Sequence, residues 1–281
     1  MTPRIAIPVP TSKDLPYNQR SWPAYATAVT RSGGEPVAID LSASPAQITA
    51  LAASCDGVLL PGSPADVDPA LYGADRDPAS APADPAREAV DYLLLDHASK
   101  YAKPVLAICY GVQSLNVWRG GSLIQDLAPL PVNHGAGSMV AIAHTALVAP
   151  NSLLASLLTP DEAPASNGFL RLPINSSHHQ SVAAPGDGLR IVARCPDDGV
   201  IEAVELESDN NKMFHVEHNA PAATPAPAPI QFLLGVQWHP ERSYEISAAS
   251  RALFRHLVAE ARLNAEARAA AERNPTESPA R

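Results

Sequence analysis

Cysteine is scarce in this chain, with three residues, at 55, 109 and 195, among 281. They form no Cys-x-x-Cys pair and no zinc pattern. That excludes a disulfide scaffold and points to reduced thiols in a cytoplasmic protein. Basic charge is also short: 20 Lys and Arg stand against 29 Asp and Glu, for a net charge of −9. Nucleic acid and anionic membranes need a basic surface, so neither is expected as a partner. No stretch reaches the ~18 apolar residues of a membrane span. Met1–Pro10 is an apolar run broken by proline and is no signal peptide. No internal repeat is visible.

Core material is plentiful, with 46% hydrophobic residues. Arg4–Val9, Pro36–Asp40, Gly57–Leu60 and Pro104–Ile108 are short buried-type runs that predict strands. Helical spacing or helix-forming composition marks Ser21–Gly33, Pro45–Ala53, Glu88–Ala102 and the run from Gly111 to Trp118. Strands alternating with helices imply a parallel sheet covered on both faces. After Gly121 the pattern shifts to short strands and turns, at Met139–Ala143, Leu189–Ala193, Val200–Leu206 and Phe232–Gln237. These predict hairpin-like pairing at the far side of the sheet. A Pro- and Ala-rich stretch at about 208–230 reads as a flexible insertion. Ser247–Ala271 reads as a long helix whose second half is polar and projects, followed by a disordered tail at Asn274–Arg281. The expected organisation is one domain over 1–262, with 263–281 as helix extension and tail.

Two segments carry chemistry. In Val105–Val117 an apolar strand ends at Ile108, Cys109 follows, then Gly111 and a helix-forming run. That is the layout of a nucleophile elbow, which pushes the thiol out at the carboxyl end of the sheet. The helix N-terminus favours thiolate, and its backbone N–H groups suit a developing oxyanion. In Phe232–Glu241 a strand leads to His239, with Glu241 two residues on. A thiol nucleophile needs a base, and the base needs a carboxylate to fix its tautomer. Cys55 and Cys195 lack such surroundings and read as structural. His97 reads as a helix-face packing residue, and His134 and His144 as strand or loop histidines. His215-Val216-Glu217-His218 has closely spaced ligand types but lacks the His-Glu-x-x-His order and a third ligand.

Four ordered motifs carry a resemblance: Pro61-Gly62-Ser63, Cys109-Tyr110-Gly111-Val112-Gln113, Asn175-Ser176-Ser177-His178-His179-Gln180 and Gly235-Val236-Gln237-Trp238-His239-Pro240-Glu241. Together they resemble the class I glutamine-amidotransferase-like superfamily, and within it the peptidase C26 group of γ-glutamyl-γ-aminobutyrate hydrolases. Gly62–Gly73 and Gly120–Leu127 are also similar to that group. The resemblance implies a flavodoxin-like three-layer α/β/α sandwich, mostly parallel, with a small antiparallel extension. It implies a Cys109–His239–Glu241 triad and an oxyanion hole from backbone groups at Gly62, Ser63 and Tyr110. It places Gln113, Asn175, Ser176, His178 and Gln180 near the mouth, with His178 and Gln180 on the amino-acid head of the substrate. The implied activity is hydrolysis of small γ-glutamyl compounds through a thioester, with no metal or organic cofactor. Two departures stand out: Tyr110 replaces an Arg of many relatives, and the carboxylates of Asp84-Pro85-Ala86-Arg87-Glu88 with Asp91 are interchanged. The rival readings are a glutaminase subunit feeding ammonia to a partner synthetase, and a non-catalytic γ-glutamyl-binding protein. The sequence is compatible with a homodimer but does not fix the assembly.

Overall fold

The computed structural model describes residues 2–127, 130–207 and 232–273. The expected insertion, the expected tail and the His215–His218 run lie outside the described residues. In chain order the strands are β1 (Arg4–Pro8), β2 (Glu35–Ile39), β3 (Gly57–Leu60), β4 (Val105–Ile108), β5 (Ser122–Ile124), β6 (His144–Val148), β7 (Ala165–Ser166), β8 (Phe169–Ile174), β9 (Ser181–Ala184), β10 (Leu189–Arg194), β11 (Ile201–Leu206) and β12 (Leu233–Val236). The helices are α1 (Leu15–Arg31), α2 (Pro45–Ser54), α3 (Pro85–Lys100), α4 (Tyr110–Trp118), α5 (Leu153–Ser156) and α6 (Ala248–Arg273).

The main sheet has the order β2-β1-β3-β4-β12-β11-β10-β6-β8-β7. Its first five strands are parallel, in the flavodoxin-like doubly wound order. From β11 onward every pairing is antiparallel, as the change of texture after Gly121 predicts. β5 and β9 form a separate two-stranded ladder.

Alternation along the strands sorts the core into two layers. Ile5, Ile7, Leu106, Ile108, Leu234 and Val236 pack under Val29 of α1 and Leu253, Phe254 and Leu257 of α6. Ala6, Val58, Leu60, Val105 and Ala107 face Ile48 of α2, Leu94 of α3 and Leu115 of α4. Because the central strands are covered on both faces, they read as unbroken apolar runs.

The structure corrects several boundaries. Helix α1 begins at Leu15 rather than Ser21, because Asp14 caps it by accepting from the Tyr17 N–H at 2.8 Å. Met139–Ala143 is not a strand. Met139 is 94% exposed, and pairing begins only where the Ala143 N–H donates to Ile174 O at 2.8 Å. The second half of α6 does not project. Asn264 donates to Ala102 O at 3.1 Å and Arg268 to Asp56 at 2.8 Å, so this half lies along the amino-terminal end of the parallel sheet.

Candidate active site

The site is assembled where β3, β4 and β12 end. Cys109 follows the last residue of β4 and adopts φ 54°, ψ −110°, a left-handed conformation rare for a residue with a Cβ. Three backbone bonds hold it there: its N–H donates to Val236 O at 2.8 Å, and its carbonyl accepts from the Val112 N–H at 3.1 Å and the Gln113 N–H at 3.3 Å. Gly111 is required by close approach, since a Cβ there would lie 2.3 Å from Leu60 O. The strain turns the sulfur out of the sheet beside the first turn of α4, where the residue is 6% exposed.

His239 and Glu241 come from the turn after β12. His239 Nδ1 and Glu241 Oε1 lie 2.7 Å apart, with both side chains nearly fully buried. A carboxylate accepts, so Nδ1 carries a hydrogen and Nε2 is left for the sulfur. A Cβ on Gly62 would be 3.0 Å from His239 Cε1 and 3.6 Å from Cys109 Cβ, which places imidazole and thiol side by side above that turn. Burial opposes the charged imidazole, but the Glu241 carboxylate and the Cys109 thiolate outweigh it and raise His239 to about 9. For Glu241, burial pushes upward, but the His239 charge and the nearby Arg242 prevail and lower it.

Asn175 orients this pair from behind. Its amide donates to His239 O at 2.8 Å and accepts from the His239 N–H at 2.9 Å. The remaining expected mouth residues are engaged within the protein. Gln113 donates to Gln180 O at 3.0 Å, and Gln180 donates to Gln125 O at 2.9 Å. Ser176 donates to His134 O at 2.7 Å. His178 bonds Gln180 O at 2.9 Å through Nδ1 and turns Nε2 toward Glu202. His179 alone of this segment's histidines turns outward, to Asp66 and Asp126. Thus Cys109, His239 and Glu241 meet, Asn175 supports them, and His178 lies in the interior. Of the three expected oxyanion donors, the Gly62 N–H is directed at the Tyr25 hydroxyl, 3.1 Å away.

Sequence reasoning missed Tyr25 and the clamp built by the start of α3. Asp84 accepts from Thr11 Oγ1 at 2.7 Å and from the Ser12 N–H at 2.6 Å. Arg87, fully buried, donates to Pro10 O at 2.8 Å, to Pro61 O at 2.6 Å and to Asp91 at 2.7 Å. Its guanidinium also lies 4.9 Å from the centre of the Tyr110 ring. One helix end therefore fixes the loops after β1, β3 and β4. The signals available were an Arg four residues before Asp91, at helical i, i+4 spacing, and the likeness of Asp84–Glu88 with Asp91 to the family's pattern. Two surface concavities do not include Cys109 in their linings, one formed by Ile124, Leu127, Arg194 and Val200, the other by Ile142, Asn175, Trp238 and Ile246.

The peptidase C26 family model matches residues 10–218. The γ-glutamyl-γ-aminobutyrate hydrolase of Escherichia coli O157:H7 is 33% identical over 243 residues, covering 83% of each chain. Among solved structures, a protein described as a GMP synthase component from Thermoplasma acidophilum superposes with a TM-score of 0.60 at 12% identity, over 96% of this chain and 98% of that one. The acivicin-bound glutaminase domain of Trypanosoma brucei CTP synthase gives 0.55 at 14% identity, over 93% and 94%. At such identities the structures speak for the fold, and they share the flavodoxin-like architecture derived above. The chain belongs to the peptidase C26 family, within the glutamine-amidotransferase-like superfamily.

Proposed function

We propose that this protein is a cysteine-dependent hydrolase of C–N bonds that cleaves the γ-glutamyl amide of small γ-glutamyl compounds. The observation that carries the reading is the convergence of Cys109, on its strained elbow, with the His239–Glu241 pair joined at 2.7 Å. The similarity to a γ-glutamyl-γ-aminobutyrate hydrolase supports the substrate class.

In this mechanism the Cys109 thiolate attacks the γ-carbonyl carbon. The tetrahedral oxyanion is held by backbone donors, for which the Ser63 and Tyr110 N–H groups are suited because Gly62 is already committed to Tyr25. Protonated His239 passes its Nε2 proton to the departing amine as the C–N bond breaks. A γ-glutamyl thioester remains on Cys109. His239 then takes a proton from water, the hydroxide adds to the thioester, and glutamate leaves with return of the thiolate. Glu241 holds the ring and Asn175 the backbone of His239 throughout.

Cys109→Ala is expected to lower turnover of γ-glutamyl-γ-aminobutyrate by at least about 10⁴-fold, since triad members act as a unit, with an unchanged circular dichroism spectrum. Retained turnover in that variant ends the proposal. Assaying free glutamine beside γ-glutamyl amides, with no other protein present, separates a hydrolase from a glutaminase subunit: the hydrolase favours the amides.

A further inference from the structure

Three histidines converge on one carboxylate behind the active-site wall. His134 comes from the loop after β5, His144 from β6, His178 from the loop between β8 and β9, and Glu202 from β11. Their side chains are between 0% and 5% exposed. The outer nitrogen of each ring faces an oxygen that accepts: His134 Nε2 lies 2.9 Å from Asp198 Oδ2, His144 Nδ1 3.4 Å from Thr145 O, and His178 Nδ1 2.9 Å from Gln180 O. In a neutral ring the outer nitrogen therefore holds the hydrogen, and the inner nitrogen is a lone pair. Those inner atoms, His134 Nδ1, His144 Nε2 and His178 Nε2, stand 3.3, 3.5 and 4.0 Å from Glu202 Oε1. Among the described residues none of these nitrogens has a hydrogen-bond partner, and neither has either oxygen of Glu202. Four buried acceptors facing one another repel unless something positive stands between them.

We propose that His134, His144, His178 and Glu202 form a structural site for one divalent transition-metal ion of the zinc type. Zinc–nitrogen and zinc–oxygen bonds of about 2.0–2.1 Å in a tetrahedron put donors about 3.3–3.4 Å apart, close to the 3.3 and 3.5 Å found here. The ligand atoms of His134, His144 and Glu202 lie within 4.8 Å of one another; His178 Nε2, 4.0 Å from Glu202 Oε1, stands outside that group and completes the set by moving inward on binding. Imidazole and carboxylate suit zinc, and an outward ring N–H held by a carbonyl or carboxylate is the usual support for a metal-bound histidine. Glu202 and Asp198 together balance a charge of two. Four protein donors leave no open position, so the role is structural. A second grouping, His134 with Cys195 and Asp198, is also compact. Its His134–Asp198 contact is already a hydrogen bond and requires no cation.

The site would brace the reacting groups through two connections. The segment from Asn175 to Gln180 carries His178, holds His239 through Asn175, and receives Gln113 at Gln180 O. Glu202 O accepts from the Gln237 N–H at 2.8 Å, two residues before His239.

The test uses the full chain, unfolded with chelator, refolded with or without Zn²⁺, and dialysed. Plasma mass spectrometry is expected to find about one zinc per chain, and the zinc-loaded protein to melt higher than the chelated one. Glu202→Gln, which keeps the side-chain shape, and His144→Ala should each lower zinc content at least about tenfold, with circular dichroism reporting the fold. Cys109→Ala and Cys195→Ala should retain the metal. Co²⁺ should give the visible absorption of a tetrahedral site. The proposal is overturned if folded wild type takes up neither ion, which would leave the cluster to protons. It is equally overturned if either cysteine variant loses the metal while Glu202→Gln keeps it.

Discussion

At the scale of single residues, His239 makes the site's chemistry dependent on pH. Its ordinary value of 6.5 is raised to about 9, so the folded protein holds this proton more tightly than the unfolded chain does. The stability this contributes is complete below about 6.5 and is lost as pH rises through about 9. Urea unfolding at a series of pH values should therefore show the gap between wild type and His239→Gln narrowing between pH 7 and 9. A gap that widens contradicts the ion pair. In the proposed mechanism the same proton is handed to the leaving amine, so the alkaline limb of the kcat/KM profile should fall near pH 9, about where the imidazole loses it. His239 and Cys109 were legible in the sequence because each comes after an apolar strand, with Pro240 next to His239 and Gly111 two residues past Cys109. Asn175 was legible as a motif member but not in its role. Its partner is the backbone of a residue 64 positions away, and no local pattern encodes that contact.

At the scale of elements, α3 does more for the site than its amphipathic pattern suggests. Its first turn holds Thr11 and Ser12 through Asp84, and Pro10 and Pro61 through Arg87. Arg87→Met removes a fully buried guanidinium and leaves Asp91 buried without its partner. Losing one member of a buried pair typically costs about 3–5 kcal/mol, so the denaturation midpoint should fall steeply. kcat should drop too, because the Pro61 turn loses its anchor. A variant as stable as wild type would mean that the clamp is incidental. The difference between the two halves of the sheet explains what sequence reading could find. Strands β3 and β4 are unbroken apolar runs bounded by Gly and Pro, so period and punctuation agree. β8 contains Pro173, and β9 is four residues of weak strand propensity. Both are set by pairing with β6 and β5, which local propensity does not report. Met139–Ala143 misleads in the opposite direction: it is apolar, yet Met139 and Ile142 are exposed.

At the scale of the whole molecule, the antiparallel pair β11–β12 is the seam between the two halves and carries His239 into place. Ala203 pairs with Val236, Val204 with Gly235 and Glu205 with Leu234. Extending that register brings Glu207 opposite Phe232, so the chain leaves and re-enters the sheet at neighbouring points. Residues 208–231, 24 in number, join those points and lie outside the described residues. Because the Glu207 N–H points to Gly188 O and Phe232 O accepts from Val105, an Asn-Gly insert between them makes a four-residue loop on the Leu206–Leu233 pair, a length usually built around a type I turn. Replacing 208–231 by Asn-Gly should leave β12, and with it the His239 turn, where it is. Closing a shorter loop costs less chain entropy, by about 0.6 kcal/mol per halving and so about 2 kcal/mol here. At about 2–4 °C per kcal/mol for a domain of this size, the melting temperature should rise by several degrees. kcat/KM on γ-glutamyl-γ-aminobutyrate should stay within about threefold of wild type, a change of less than ~1 kcal/mol in transition-state binding. Calorimetry and steady-state kinetics on the shortened chain measure both. A higher melting temperature with turnover lost would assign the replaced segment to the substrate cleft. A lower melting temperature would mean that the register does not continue past Glu205 and Leu234.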